Sequence, residues 1–313
     1  MIWKEANKRF DEYGNDKTVG TNGFYAMKAH WSEHPDRDEE WAETERSRIG
    51  EERFRREHEC EFLIFDETLI SSLVLADMEG VAPVETTGQV RWFKRPTPGH
   101  TYLTSLDPSM GTGGDYAAIQ VFELPTFEQV GEWHHNMTPM NQQVRILQGI
   151  NKHIHDSIIE KDSSASPQIF YSMENNTIGE AALMRVMDIG EENIMGMFLS
   201  EPIRKGHRRK FRRGFNTTAK HKIDACTKFK ELVEGGKMKI NSQLLISEMK
   251  DFVATGLSYK AKPGQHDDLV SSCLLMTRMM KVLADFDPKI FEKWTDRSSE
   301  LTTPMPIFGN FYG

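Results

Sequence analysis

The sequence predicts an α/β fold, a mixed β-sheet flanked by helices and preceded by a small, mostly helical N-terminal segment. Three observations predict it. Three β-prone runs separated only by short turns indicate an antiparallel meander, at 100–107, 116–123 and 129–135. A long helical pattern at 139–159 and a fourth β-prone run at 168–173 come next, and such alternation favours a sheet covered by helices. A strongly charged helical pattern at 38–59 precedes all of these runs.

Residues 1–75 form the N-terminal segment of this prediction. They comprise an amphipathic start, a short extended piece at 24–31, the charged helical pattern and a short apolar run at 62–65. No stretch fits the phosphate-binding pattern G-x-x-x-x-G-K-[ST], so the chain does not bind ATP by that device.

Prolines and glycines divide the rest of the chain. Residues 76–99 are predicted to be a linker with one strand at 90–93, and residues 100–285 the main domain. After the fourth β-prone run, helices are expected at 178–187, 217–234, 242–250 and 269–283, with an extended run at 251–259. Residues 286–313 are predicted to be a loose tail.

The composition is that of a globular protein, with 38% hydrophobic and 27% charged residues. No apolar run is long enough to cross a membrane, and no export signal is recognisable, so we expect a protein that works in a cytoplasm without a membrane partner. The three cysteines fit neither a disulfide framework nor a zinc cluster.

Carboxylates occur where three predicted elements end or begin. Asp107 ends the first strand, Glu174 follows the fourth, and Asp267 and Asp268 open the last helix. If the strands are neighbours, these groups converge on one cation, an arrangement suited to metal-dependent phosphoryl transfer. Each acid also has a simpler interpretation, as a turn-capping residue, an ordinary strand-end acid or a helix N-terminus.

Two further residues near these acids allow two interpretations each. Asp115 either supports a second metal ion or only stabilises its turn. His266 either shuttles a proton or contacts phosphate, or it has a structural role. Asp267 and Asp268 point about 100° apart on a helix, so only one of them is expected to face the site fully.

The net charge is −8, yet positive charge is concentrated in one segment. That segment predicts binding to DNA backbone phosphates, steeply dependent on salt and without base specificity, and the alternative is a solvated surface. Lys220, His221 and Lys222 would extend it. The residues of this basic segment are Arg204, Lys205, Arg208, Arg209, Lys210, Arg212 and Arg213.

Taken in order, these motifs resemble the C-terminal nuclease domain of the large terminase subunit of tailed bacteriophages. The resemblance covers roughly residues 95–285 and implies a ribonuclease H-like fold. It also implies that Asp107, Glu174 and Asp268 are catalytic ligands of two Mg²⁺ or Mn²⁺ ions, with Asp107 bridging both and Asp267 assisting. The residues that carry it are Leu106-Asp107-Pro108-Ser109 with Gly111 and Gly114-Asp115-Tyr116, Met173-Glu174-Asn175-Asn176 with Gly179, and His266-Asp267-Asp268-Leu269-Val270.

The resemblance further implies a metal-dependent endonuclease that cuts concatemeric double-stranded DNA with little sequence preference during genome packaging. Its partners would be the portal of the procapsid, a small terminase subunit and an ATPase motor. It would act in the host cytoplasm during phage infection, at the procapsid portal, and would not be expected in the mature virion.

Residues 1–75 resemble the end of the terminase ATPase motor, so the chain is either a fragment or the partner of a separately encoded motor. A small helical appendage unrelated to a motor is the alternative. The rival functions are a ribonuclease H-like resolvase or transposase, and a non-catalytic module that binds DNA or the portal.

Overall fold

The structure is a computed structural model that describes residues 19–20, 23–25, 27, 29–60, 68–201, 213–256 and 258–286. The chain divides into two compact units, Met1–Phe65 and Asp66–Gly313. Within the described residues, no helix is both long and apolar enough to cross a membrane.

The described part of the first unit contains two α-helices, α1 (Glu39–Ile49) and α2 (Glu51–His58), which meet at Gly50. The side chain of Asp38 accepts a hydrogen bond from the backbone N–H of Trp41 and so caps α1. The unit has an aromatic core in which Trp31 and Phe54 are buried. The helical pattern predicted at 38–59 is therefore confirmed, whereas the apolar run at 62–65 lies outside the described residues.

The second unit is built on a sheet whose seven strands have the order β1-β2-β5-β4-β3-β6-β7. β3, β4 and β5 form the predicted antiparallel meander, and β6 pairs with β3 in parallel. This confirms the mixed sheet. The strands are β1 (Glu85–Thr87), β2 (Val90–Trp92), β3 (Thr101–Asp107), β4 (Ala117–Leu124), β5 (Glu128–His135), β6 (Gln168–Met173) and β7 (Met197–Phe198).

Six α-helices accompany the sheet in the part of this unit that the structure describes. The predicted helices are present with shifts of a few residues at their ends, and a short helix precedes them. They are α3 (Ser72–Asp77), α4 (Met140–Lys161), α5 (Thr177–Ile189), α6 (Ala219–Glu234), α7 (Gln243–Asp251) and α8 (Asp268–Phe286).

Two segments differ in detail from the sequence prediction. The extended run predicted at 251–259 is a hairpin of β8 (Phe252–Thr255) and β9 (Ser258–Ala261), with Gly256 at a φ of 61° in the turn. The segment 76–99 supplies two strands rather than one, and β2 pairs with β5 in the sheet. The division into domains stays a prediction. The predicted tail lies outside the described residues except for Phe286, which ends α8.

Helices α4 and α5 pack on one face of the sheet, where they bury Tyr102 and Leu106 of β3. The opposite face of β3 contacts α8, because the hydroxyl of Ser105 donates to the carbonyl of Ser272 at 2.9 Å. Side chains alternate along a strand, so Asp107 belongs to the same face as Ser105. The fold therefore turns Asp107 towards the helix that begins at Asp268.

Candidate active site

Asp107 and Glu174 meet at the ends of two parallel neighbouring strands. Leu106 is paired with Met173, and the N–H of Glu174 donates to the carbonyl of Leu106 at 3.1 Å. The residues of the two strands are largely buried, whereas Asp107 and Glu174, at the strand ends, are half-buried. The convergence expected from the sequence is therefore present for these two residues.

Asp268 opens α8 and approaches the same end of the sheet. One of its carboxylate oxygens, Oδ2, accepts from the backbone N–H of Tyr116 at 3.3 Å and lies 3.7 Å from Nδ1 of His266. Tyr116 directly precedes β4, whose Ala118 is paired with Asp107. The start of the helix is thereby fixed beside the strand that carries Asp107.

Asp267 has different partners from Asp268. Its side chain accepts from the N–H of Ala261 in β9 at 3.2 Å, and its carbonyl accepts from the N–H of Ser271 at 2.7 Å. Its hydrogen bonds therefore tie β9 to the start of α8. This agrees with the preference for Asp268 as the ligand and Asp267 as an assisting residue, and both roles stay predictions.

Negative charge is crowded around Asp107. Burial raises the pKa of its carboxyl group well above the usual range, and Glu174, through its charge and a hydrogen-bond contact, raises it further, as do Asp268 and Asp267. Burial also raises the pKa of Asp268 to about 6, and the N–H of Tyr116 opposes that shift. A divalent cation would relieve the repulsion, so the site favours one.

The side chains present fit a magnesium-type ion in part. Among the described residues, no group of three or more His, Cys, Asp or Glu side chains is already arranged to hold a metal. Mg²⁺, however, keeps several waters and is commonly held by one or two carboxylates together with substrate phosphates. Asp107 and Glu174 supply such a pair. Asp268 is close enough for its charge to raise the pKa of Asp107.

A cavity of about 180 Å³ opens beside the two acids. Asp107 and Glu174 line it together with three cationic or titratable residues of the facing helices, which are His221, Lys222 and Arg278. The ring nitrogen Nδ1 of His221 lies 2.8 Å from the carbonyl of Asn216; because a carbonyl only accepts, Nδ1 donates. The cavity thus has acidic residues on the sheet side and basic residues on the helix side.

Arg278 is held by several partners at the edge of this cavity. Its guanidinium group pairs with Glu201, donates to the hydroxyl of Thr217 at 2.9 Å and lies over the ring of Phe215. Sequence reasoning missed this residue. The one signal for it was an arginine inside the largely apolar run that became α8.

The turn after Asp107 is held by a residue that the sequence did not single out. The side-chain amide of Gln143, in α4, donates to the carbonyls of Ser109 at 2.9 Å and Thr138 at 2.7 Å. Its oxygen also accepts from the N–H of Ser109 at 3.2 Å. A glutamine in an amphipathic helix carries no distinctive pattern, so no sequence signal pointed to this role.

The remaining predicted site residues are placed as follows. Asp115 is exposed, and its charge contributes to the raised pKa of Asp268. His266 is exposed and packs edge-on against the ring of Tyr116, with 4.8 Å between ring centroids. Arg213 pairs with Glu191, and the other residues of the basic segment lie outside the described residues.

Comparison with solved structures finds similarity to viral terminase nucleases. The large terminase nuclease of the thermophilic phage G20c is 18% identical, with a TM-score of 0.50 over 68% of this chain and 97% of that one. The nuclease domain of Thermus phage P74-26 is 18% identical, with a TM-score of 0.48 over 67% and 93%. The human cytomegalovirus terminase nuclease domain is 13% identical, with a TM-score of 0.44 over 72% and 98%.

A family model points the same way. The family described as the terminase RNaseH-like domain matches residues 104–279, which is more than half of the chain and includes all three acids at the sheet end. Both the resemblance read from the sequence motifs and the ribonuclease H-like fold are thereby confirmed. This chain belongs to the terminase family with a ribonuclease H-like domain.

Proposed function

We propose that this chain is a divalent-metal-dependent endodeoxyribonuclease that cuts concatemeric double-stranded DNA with low sequence specificity during viral genome packaging. One observation carries the proposal. Asp107 and Glu174 meet at the ends of neighbouring parallel strands and line a cavity that also has basic residues on its helix side. Membership of the terminase family supports it.

The proposed cofactors are two Mg²⁺ or Mn²⁺ ions. When bound, such ions activate a water and stabilise the charge on the leaving oxygen of a phosphodiester. Asp107 and Glu174 would hold them from the sheet and Asp268 from α8, with Asp107 shared between them. Structures of the G20c nuclease with bound magnesium and with bound cobalt support the use of divalent metal.

The basic side of the cavity would orient the DNA backbone. Lys222 lines the cavity, and its ammonium group lies 5.6 Å from the ring centroid of Phe252. An ammonium group at this position would bind a non-bridging phosphate oxygen. Arg278 is fixed by its ion pair with Glu201, which offsets its charge, so Lys222 would be the main cationic contact. Leu274 and Leu275 also line the cavity and supply its apolar surface.

The wider assembly follows from the proposed function. Double-stranded DNA would contact the basic segment, and the portal of the procapsid, a small terminase subunit and an ATPase motor, in cis or in trans, would be the protein partners. The place of action would be the host cytoplasm during infection, at the procapsid portal.

Cleavage of a supercoiled plasmid tests the proposal, using the full chain with Mg²⁺, with Mn²⁺ and with excess chelator. We expect nicking and linearisation with either metal, none with chelator, and none from Asp107→Asn. The melting temperature of Asp107→Asn without metal should be equal to or above that of the unaltered chain, because the variant has no carboxyl group to ionise at a site that disfavours the charge.

Asp188→Asn is the matched control, since Asp188 is an exposed acid paired with Arg185 on α5, and it should cut normally. Cleavage by Asp107→Asn at the normal rate, or cleavage that resists chelator, would contradict the proposal. A strong preference for a four-way junction over the plasmid would favour a resolvase instead.

A further inference from the structure

The start of α8 is capped by a residue from another helix. Glu248, in α7, is buried, and its Oε2 accepts hydrogen bonds from the backbone N–H groups of Leu269 at 2.8 Å and Val270 at 3.1 Å. These groups lack partners inside their own helix, because the first turn of a helix leaves its donors unpaired. The neighbouring Asp267, which could have capped them, directs its side chain to Ala261 instead.

A second set of contacts joins Glu248 to Asp268 by another route. Its other oxygen, Oε1, lies 3.7 Å from Nε2 of His134 in β5. The ring of His134 stacks on Tyr116, with 4.1 Å between centroids and 17° between planes. The backbone N–H of Tyr116 in turn donates to Asp268.

Asp268 is therefore held from two sides. On one side Glu248 fixes the two residues that follow it, and on the other Tyr116 holds its carboxylate. None of Glu248, His134 and Asp268 lines the cavity beside Asp107 and Glu174. Glu248 would therefore act on the site through the start of α8 and not by contact inside the cavity.

We propose that Glu248 is a positioning residue, which sets the start of α8 so that Asp268 faces Asp107 and completes the metal site. This inference rests on the proposed function. What it requires is an acceptor at Oε2 rather than a negative charge, because two backbone N–H groups are the partners. Burial, in agreement, raises the pKa of Glu248 to about 9.

Binding of Mn²⁺ to the full chain without DNA, measured by isothermal titration calorimetry, tests the inference. Glu248→Ala should weaken Mn²⁺ affinity by about tenfold, as removal of a supporting partner behind a metal ligand commonly does. Glu248→Gln keeps the acceptor and should bind within about twofold of the unaltered chain. Combining Glu248→Ala with Asp268→Asn should weaken binding no more than Asp268→Asn alone, because both act through one ligand.

Leu245→Ala separates positioning from general stability. Leu245 is fully buried on the same helix as Glu248, so its truncation should lower the melting temperature while Mn²⁺ affinity stays within about twofold. Amide hydrogen exchange should quicken at 269–270 in Glu248→Ala and not in Glu248→Gln.

Three results would overturn the inference alone: normal Mn²⁺ affinity in Glu248→Ala, a loss in Glu248→Gln as large as in Glu248→Ala, or a loss in Leu245→Ala in proportion to its lower melting temperature. No Mn²⁺ binding by the unaltered chain would instead overturn the proposed function, and this inference with it.

Discussion

At the scale of the residue, burial determines the charge of His134, which stacks on Tyr116, the residue that holds Asp268. His134 belongs to β5, and its Nε2 is buried near Glu248 of α7. Burial lowers its pKa to about 4, and the positive charges of Arg91, His266 and His135 act in the same direction. The folded chain therefore keeps His134 neutral at a pH where the unfolded chain would protonate it.

This predicts a specific loss of stability in acid. Because the unfolded state binds the proton between about pH 6.5 and pH 4 and the folded state does not, the free energy of unfolding should fall as the pH decreases through that window. Over the whole window, His134 accounts for a loss on the order of 3 kcal/mol in the free energy of unfolding. Urea unfolding at pH 7 and pH 4.5 should show a smaller difference for His134→Phe, which keeps the ring on Tyr116. An equal difference in both proteins would contradict the prediction.

At the scale of the element, the turn between β3 and β4 is shaped by close backbone contact. Gly111 has a φ of 68°, and a Cβ there would lie 2.1 Å from the carbonyl oxygen of Thr138. Gln143 binds the same carbonyl and also Ser109. The turn that follows Asp107 is thus pressed against the start of α4.

Gly111→Ala should therefore disturb both stability and the site. We expect a loss of at least about 2 kcal/mol in the free energy of unfolding and a fall in metal-dependent cleavage, because the turn must move away from Thr138. Gly88→Ala is the matched control, since Gly88 has a φ of 60° and open space where its Cβ would be. Gly88→Ala should lower the free energy of unfolding by only about 1 kcal/mol and leave cleavage unchanged. Equal losses in the two variants would show that close packing at Gly111 is unimportant.

The order of elements was predictable from sequence, whereas the parallel pairing of β3 with β6 was only a condition of the predicted site. Alternating β-prone runs and an amphipathic helix predicted the meander and the strand before Glu174, because local periodicity and turn residues determine these features. The segment 76–99 was harder, because β1 and β2 have only three residues each and depend on pairing with β5. Gln143 and Glu248 could not be found at all, since their roles arise from contacts between residues far apart in the chain.

At the scale of the whole molecule, the distribution of charge would determine how the chain binds DNA. The net charge is −8, so binding to a polyanion would rely on the basic segment against an unfavourable total. We expect neutralisation of Arg208, Arg209 and Arg212 to weaken DNA binding and to reduce the slope of log affinity against log salt by about 0.9 for each phosphate that is no longer neutralised.

Fluorescence anisotropy with a DNA duplex over a range of salt measures this slope. A matched control neutralises three cations that pair with acids on helices, which are Lys152, Arg185 and Lys228. That variant carries the same change in net charge and should keep the slope of the unaltered chain. A slope that falls equally in both variants would mean that total charge, and not the basic segment, governs binding.

The two margins of the seven-stranded sheet have a consequence for association between copies. The outermost strands are β1, with three residues, and β7, with two. A margin this short offers few free backbone groups to another chain, and short outer strands are one way in which proteins avoid strand-to-strand aggregation. The sheet that brings Asp107 and Glu174 together therefore has little tendency to pair with another copy of the chain through its outermost strands.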